Sequence, residues 1–462
     1  MSRFRKTYRV FVIICLLTLF FVFFNVLLNS NLKDYERKIN VFEKIDINSI
    51  INSTANISKN THLSSIGLPP NEVIDIFNYI NNNYDMLNYD KFEKNNIQYI
   101  ILVQVHNRLD YLQILINSLE NVNGIENCLI IFSHDVYKSE IDKPIKNITF
   151  GRVLQIYFPY NLQLFPNIFP GFSNNDCSPS VTKNEGIKLN CSSKDQYDTY
   201  GHFRDPNLSQ IKHHWWWKLN FVFEKVFKRF KTSGKIILIE EDHYVMPDML
   251  HILNLITIKK EKLCSDCNII VLGSYKFDEK EYVNNINKIS VMQWYSSMHN
   301  MGMVIDTNLW NNINKCSELF CTYDDYNWDW TLLKVSLECM DKKMKALSIT
   351  SPRILHIGDC GIHKHDCQSQ KSLLIATNLL ELSKNDLFPV NLIVDATSKK
   401  SPKPPKPNGG WNDIRDHYLC LHNSYVLPKN KNNNFFSTKY QNYRNNSGFF
   451  PFMDLNFLQT LP

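Results

Sequence analysis

Two clusters of carboxylates stand out by the residues around them. Glu240, Glu241 and Asp242 follow one another directly and run into His243. Asp324, Asp325 and Asp329 are interleaved with Tyr323, Tyr326, Trp328 and Trp330. The first set suits a hard divalent cation, which takes oxygen ligands and neutralises a phosphate-bearing substrate. The second suits a carbohydrate. Aromatic rings stack on the apolar faces of a sugar, while a carboxylate accepts hydrogen bonds from hydroxyls or takes a proton from one. Each set also has a plainer reading. Acids after a strand are often a solvated loop, and Asp324 or Asp325 would serve as the N-cap of a helix beginning near Trp328.

The elements that must position these groups are legible from apolar patterning. Residues 236–239 are an uninterrupted apolar run that ends in the first acidic cluster. Such a run fits a central parallel strand covered on both faces, and open α/β sheets bind ligands at the carboxyl ends of those strands. Residues 98–105 (QYIILVQV) read as a second buried strand ending in His106, Asn107 and Arg108. Leu112, Leu115, Ile116 and Leu119 then recur at helical spacing, and residues 128–132 (CLIIF) form another strand ending in Ser133, His134 and Asp135. This predicts a parallel β-α-β unit with a right-handed crossover. Further strands are expected at residues 153–158 and 269–272, and a short one at 353–360 carrying His356 and Asp359. A lone histidine in that position is more often structural than a ligand. Residues 165–205 read as a loop, and residues 209–230 lead into a helix. Its three consecutive tryptophans, Trp215, Trp216 and Trp217, cannot share one helix face. At least one is expected in the core and another lining a sugar site. Neither a Gly-x-Gly-x-x-Gly nor a Walker sequence follows the first strand, which excludes a dinucleotide fingerprint and a P-loop.

The 462 residues are 44% hydrophobic and 13% aromatic with a formal charge of +6. That is a globular composition with no basic stripe, recognition helix or zinc-finger spacing, so nucleic acid is not an expected partner. Residues 10–28 are apolar except for Thr18 and Asn25, and Arg3, Arg5, Lys6 and Arg9 precede them. This predicts a type II membrane protein, with a cytoplasmic tail over 1–9 and an anchor over 10–28. An Asn-rich stem is expected over 29–96, a catalytic domain over 97–425 and a disordered tail over 426–462. With Cys15 in the anchor and Cys128 in a strand, ten of the twelve cysteines remain for a disulfide framework beyond the membrane. There Cys264 and Cys267 suit a short-loop disulfide better than zinc, and Cys360, His363, His365 and Cys367 are a weak zinc alternative.

Seven blocks in fixed order carry a resemblance: VQVHNR (103–108), IFSHD (131–135), KHHWWWKL (212–219), EEDHY (240–244), HNMG (299–302), FCTYDDYNWDWTL (320–332) and NGGWNDIRDH (408–417). Together they resemble the N-acetylglucosaminyltransferase II family over residues 98–425. The resemblance implies a GT-A glycosyltransferase fold, a Rossmann-like mixed sheet flanked by helices. It also implies inverting transfer of N-acetylglucosamine from UDP-N-acetylglucosamine to O2 of the α1,6-linked mannose of an N-glycan core, with Mn2+, in the Golgi lumen. By the same resemblance Gln104, Val105, His106, Asn107, Arg108 and Asp135 bind the donor, as does the segment Gln210, Ile211, Lys212, His213 and His214. Asp242 and His356 hold the metal, and Asp329 is the catalytic base. The implied disulfides are Cys177 with Cys191, Cys264 with Cys267, Cys316 with Cys339, Cys321 with Cys420, and Cys360 with Cys367. Two departures bear on the site. The loop between Cys360 and Cys367 is one residue shorter than the family's, and the segment after Gly273 lacks the expected basic residue, Glu279 standing near it with Lys276 or Lys280 as substitutes. The competing readings are a β1,2 N-acetylglucosaminyltransferase for another mannose, and a membrane-anchored glycan-binding protein without catalysis.

Overall fold

Strand β1 (Tyr99–Val105) is buried at every position except Gln104, the burial expected of a strand covered on both faces. It pairs in parallel with β2 (Cys128–His134) on one side and with β4 (Lys235–Glu240) on the other, while β2 pairs in parallel with β3 (Arg152–Tyr157). Helix α1 (Leu109–Glu120) makes the β1 to β2 crossover and buries Leu112, Leu115, Ile116 and Leu119 as their spacing predicts. The computed structural model describes residues 80–92, 97–230, 234–358, 369–398 and 402–424, with residues 78, 232 and 400. The expected anchor, most of the stem, the tail, Asp359 and the segment holding Cys360, His363, His365 and Cys367 lie outside them.

The remaining strands are β5 (His243–Val245), β6 (Ile269–Val271), β7 (Lys288–Gln293), β8 (Met303–Asp306), β9 (Lys345–Ile349), β10 (Ile354–His356) and β11 (Ile393–Thr397). Nine strands form one mixed sheet in the order β11-β7-β9-β6-β8-β4-β1-β2-β3. The antiparallel pairs are β4 with β8, β8 with β6, and β7 with β9. This is the mixed α/β sheet that the sequence implied. Its core continues into helix α3 (Met249–Cys264), whose Met249, Ile252, Leu253 and Ile256 are buried.

Strands β5 and β10 form a separate antiparallel pair with His356 opposite His243 and Ile354 opposite Val245. Beside this pair Arg353 is wholly buried and donates to Asp248 Oδ1 at 2.8 Å and to the carbonyls of Ser351 and Ile286. A fully buried guanidinium needs such a complete set of acceptors, because an unpaired buried charge is strongly destabilising.

Helix α2 (Pro206–Phe221) begins at Asp205, whose side chain accepts from the Asn207 amide, with Pro206 at its first position. All three tryptophans are at most 2% exposed. Trp215 stacks on Trp328 with ring centroids 4.5 Å apart, and Trp216 stacks on Phe320 at 4.2 Å. The expectation that one of them lines a sugar site is therefore corrected. The helix is covered on every side, by the sheet and by the helices that follow Thr307, so each face finds apolar partners.

Two further expectations are adjusted. Within residues 165–205 the structure contains a helix, Lys183–Leu189, closed by a capping box between Thr182 and Glu185. Packing also begins before residue 97: Leu87 exchanges backbone hydrogen bonds with Val153 on β3, and Asn81 does so with Tyr157 through its side chain. Four of the implied disulfides are present, Cys177–Cys191, Cys264–Cys267, Cys316–Cys339 and Cys321–Cys420. Cys128 is a buried free thiol.

Candidate active site

Register places the first groups. Val103 lies beside both Phe132 and Ile239, and Gln104 beside both Ser133 and Glu240, so β1, β2 and β4 end level with one another. Residues 106–108, Asp135 and the 240–242 run therefore converge at one edge of the sheet. Asp135 is a hub there. Its Oδ1 accepts from His106 Nδ1 at 2.7 Å, its Oδ2 accepts from Gln210 Nε2 at 3.2 Å, and His214 Nδ1 lies 4.0 Å from Oδ2. Burial works against the charged carboxylate, but the His106 hydrogen bond and nearby histidines outweigh it and hold Asp135 below its ordinary range.

Glu241 is 1% exposed and faces the same turn. Its carboxylate accepts from the His106 amide at 2.9 Å and from Arg108 Nε at 2.7 Å, while its own amide donates to the Gln104 carbonyl. Glu241 thus clamps residues 104–108 to the end of β4. Arg108 completes the bridge by donating through Nη1 to Asp242 Oδ2 at 2.8 Å.

The β5–β10 pairing brings His356 to the same carboxylate. Asp242 Oδ2 and His356 Nε2 are 3.2 Å apart, and the Ile357 amide donates to the Asp242 carbonyl. Burial opposes the charged imidazolium, yet the hydrogen bond and charge of Asp242 hold His356 above its ordinary pKa. Asp242 in turn is held below the usual carboxylate range. Burial acts against this, but the His356 hydrogen bond and the Arg108 charge prevail. Asp242 Oδ1 is buried and has no hydrogen-bond partner among the described residues. A buried carboxylate oxygen left open beside an imidazole nitrogen fits a cation. His243 also lies within reach of Glu240 and Asp242, but its Nδ1 accepts the Glu240 amide at 3.0 Å. Neutral imidazole then carries its proton on Nε2, so His243 offers no lone pair there, whereas His356, partly exposed, offers Nε2 to a cation once it gives up the proton it shares with Asp242. Gly358 crowds the same carboxylate, since a Cβ there would stand 2.0 Å from Asp242 Oδ2.

Asp329 comes from another part of the fold, the first turn of helix α4 (Trp328–Glu338). Its Oδ2 accepts from Ser296 Oγ at 3.1 Å and from Asn300 Nδ2 at 3.0 Å, and its Oδ1 accepts from the Trp330 amide at 3.0 Å. Burial raises its pKa against the pull of these donors, and the charge of Asp325 adds to the rise. The N-cap expectation for Asp324 or Asp325 is not met, for Asn327 occupies that position. Asp325 instead accepts from Asn327 and from both nitrogens of Asn408, while Asp324 accepts from Thr199 and from the Trp411 amide. The two acids thereby fasten the NGGWND segment beside α4.

Helix α2 separates the expected donor segment into two directions. Gln210, His214 and Lys218 repeat every fourth residue, and their side chains meet Asp135, Ser133 and Gln104 at the sheet edge. Lys212 instead donates to the Asp325 carbonyl at 2.7 Å, and His213 bonds to Asp416 Oδ1 at 2.9 Å on helix α5 (Ile414–His422). Both are buried on the side of α2 away from Asp135, and Ile211 is half-buried between the two directions.

Tyr275 is the residue that sequence reasoning missed. Lys276, Glu279 and Lys280, its neighbours in the departing segment, are exposed. The Tyr275 ring meets that of His356 edge-on at 5.1 Å and is 46% exposed. Its hydroxyl is held above the ordinary tyrosine range by partial desolvation and by the charges of Glu240, Asp242 and Asp329. One side chain is thus within electrostatic reach of both the candidate metal ligands and the candidate base. The only signal available beforehand was its position two residues after Gly273.

Residues 75–420 match the family model described as N-acetylglucosaminyltransferase II (MGAT2). The chain is 42% identical over 323 residues to the alpha-1,6-mannosyl-glycoprotein 2-beta-N-acetylglucosaminyltransferase of Homo sapiens, covering 70% of this chain and 72% of that one. It is 41% identical over 322 residues to the protein of that name from Sus scrofa, with the same coverage, and 30% identical over 329 residues to that of Arabidopsis thaliana, covering 70% and 74%. On this evidence the chain belongs to the N-acetylglucosaminyltransferase II family.

Proposed function

We propose that this glycosyltransferase moves N-acetylglucosamine from UDP-N-acetylglucosamine to O2 of the α1,6-linked mannose of an N-glycan core, with inversion at the transferred carbon. The observation that supports the mechanism is the contrast between two anchored acids, Asp242 paired with His356 at 3.2 Å and lowered in pKa, and Asp329 held by Ser296 and Asn300 and raised. Two carboxylates whose environments push them apart suit two roles, base and ligand.

In this reading Asp329 takes the proton from the attacking mannose hydroxyl. The hydroxyl oxygen bonds to C1 of N-acetylglucosamine as the bond from C1 to the diphosphate oxygen breaks, and UDP leaves with that electron pair. Gln104, Val105, His106, Asn107, Arg108 and Asp135 line the nucleotide end, with Gln210 and His214 behind Asp135. Lys212 and His213, expected at that end, instead face away from it toward Asp325 and Asp416. Asp242 and His356 would hold a divalent cation, and their mixed oxygen and imidazole donors suit Mn2+ better than Ca2+. Such an ion supplies positive charge to the diphosphate. The chain would work in the Golgi lumen, tethered by residues 10–28.

The test is transfer from UDP-N-acetylglucosamine to a panel of glycans that offers the α1,3 and α1,6 core arms separately, with Mn2+ present. A β1,2 linkage to the α1,6 arm is expected. Transfer confined to the α1,3 arm, or glycan binding without UDP release, would replace this reading with one of its two competitors.

A further inference from the structure

The hydrogen bonds around Asp329 are asymmetric. A carboxylate offers about four lone-pair sites, two on each oxygen. Both sites on Oδ2 are filled, by Ser296 Oγ and Asn300 Nδ2, whereas Oδ1 has one partner, the Trp330 amide. Among the described residues one acceptor site is left, and it is on Oδ1. The donors on Oδ2 share an origin: Ser296 begins the short helix Ser296–His299 and Asn300 ends it. That helix is itself fixed, because the Tyr295 amide donates to His299 Nδ1 at 2.9 Å and Trp294 Nε1 donates to the His299 carbonyl at 3.0 Å. His299 is buried and kept neutral by that burial, which leaves its ring nitrogen free to accept. Asn300 must present its NH2 to the carboxylate, and its own carbonyl oxygen is then buried without a partner among the described residues.

We propose that Ser296 and Asn300 are positioning residues that lock Asp329 through Oδ2, so that Oδ1 is the atom which receives the proton of the attacking hydroxyl. This rests on the reading of Asp329 as the base. It adds which oxygen reacts, and it gives Asn300 of the HNMG block a role beside a carboxylate 29 residues away in sequence. The two donors stabilise the charged carboxylate and so counter the rise that burial causes. The other charged or titratable groups facing Asp329 are Asp325, which raises its pKa further, and Tyr275 across the site. Tyr275, raised above the ordinary tyrosine range, stays neutral throughout the carboxylate range.

The experiment is the pH profile of kcat and of kcat/KM for full-length wild type, Ser296→Ala, Asn300→Ala and the isosteric Asn300→Asp, with UDP-N-acetylglucosamine binding measured in parallel. Loss of one donor to a charged acceptor is expected to lower kcat roughly tenfold and to move the acid limb up by about one pH unit. Donor affinity should stay within about twofold, since these side chains touch the base and not the nucleotide end. Asn300→Asp keeps the shape and puts a second carboxylate against the first, so its limb should move further than that of Asn300→Ala. Variants that fold and retain the wild-type limb overturn the proposal, as does a fall in donor affinity that matches the fall in kcat. If the wild type transfers nothing, the assigned reaction is wrong. The carboxylate titration of Asp329, read by 13C NMR and assigned with Asp329→Asn, then decides the pairing alone: an unchanged titration in Asn300→Ala overturns it.

Discussion

Asp242 Oδ2 and His356 Nε2 stand 3.2 Å apart because β5 and β10 pair with His243 opposite His356. Asp242 precedes that pair on one strand, and His356 ends it on the other. A candidate metal site split in this way depends on a short antiparallel pairing outside the main sheet. Both halves should therefore be needed for the cation. Asp242→Asn and His356→Ala are each expected to weaken Mn2+ binding by about 10- to 100-fold or more, read by electron paramagnetic resonance titration without substrate. Chelation should abolish UDP release in the wild type. Undiminished Mn2+ affinity in both variants would move the site elsewhere.

Gly358 leaves room for that carboxylate. A methyl group there would lie 2.0 Å from Asp242 Oδ2, closer than real Cβ atoms come, so Asp242 must shift. Gly358→Ala is expected to raise the Mn2+ concentration needed for half-maximal activity severalfold while thermal unfolding changes little. An unchanged metal requirement would show that Asp242 has slack.

Removing the proposed base should separate chemistry from binding. Asp329→Asn is expected to lower kcat by about 10²- to 10⁴-fold and to leave UDP-N-acetylglucosamine affinity nearly unaltered by calorimetry. The pH dependence has a definite sign. Asp329 works ionised and its pKa is raised, chiefly by burial, so activity should fall as pH drops through a value above the usual carboxylate range. A limb at or below that range, assigned to Asp329, would contradict the desolvated setting.

Glu241 touches no expected ligand position itself, yet it holds both the His106 amide and Arg108. Glu241→Gln should disturb the 104–108 turn, raise the donor KM about tenfold and affect kcat less, because a charged hydrogen bond is replaced by a neutral one. Steady-state kinetics with varied donor checks this. An equal loss in kcat alone would assign Glu241 to the chemical step.

Arg353 tests the scaffold rather than the chemistry. Its pair with Asp248 is fully buried, and Asp248 also accepts from the Phe388 amide. Asp248→Asn, which leaves the guanidinium buried without its charge partner, should cost about 3–5 kcal/mol in denaturant unfolding. Replacing both residues with apolar ones should cost much less than the single change.

Much of the sheet was legible in the chain because buried strands must be apolar. Residues 98–105, 128–132 and 236–239 announce β1, β2 and β4, and the polar residues after each announce the edge where the candidate site lies. The seven ordered blocks pointed to the family, and the roles expected of Asp242, His356 and Asp329 came with that resemblance. What the linear chain left open was direction. In KHHWWWK every residue is buried, so periodicity could not tell which faced the expected donor end, and the tryptophan expected to line a sugar site is core like the other two. Lys212 and His213 turn from Asp135 because Asp325 and Asp416, supplied by other parts of the chain, satisfy them on the far side. Tyr275 gained its place only when β6 and β10 brought the segment after Gly273 against His356. Apolar patterning is a local property and survives in one dimension. The partner of a buried polar atom is set by strand register and helix rotation, and those exist only once the chain has folded.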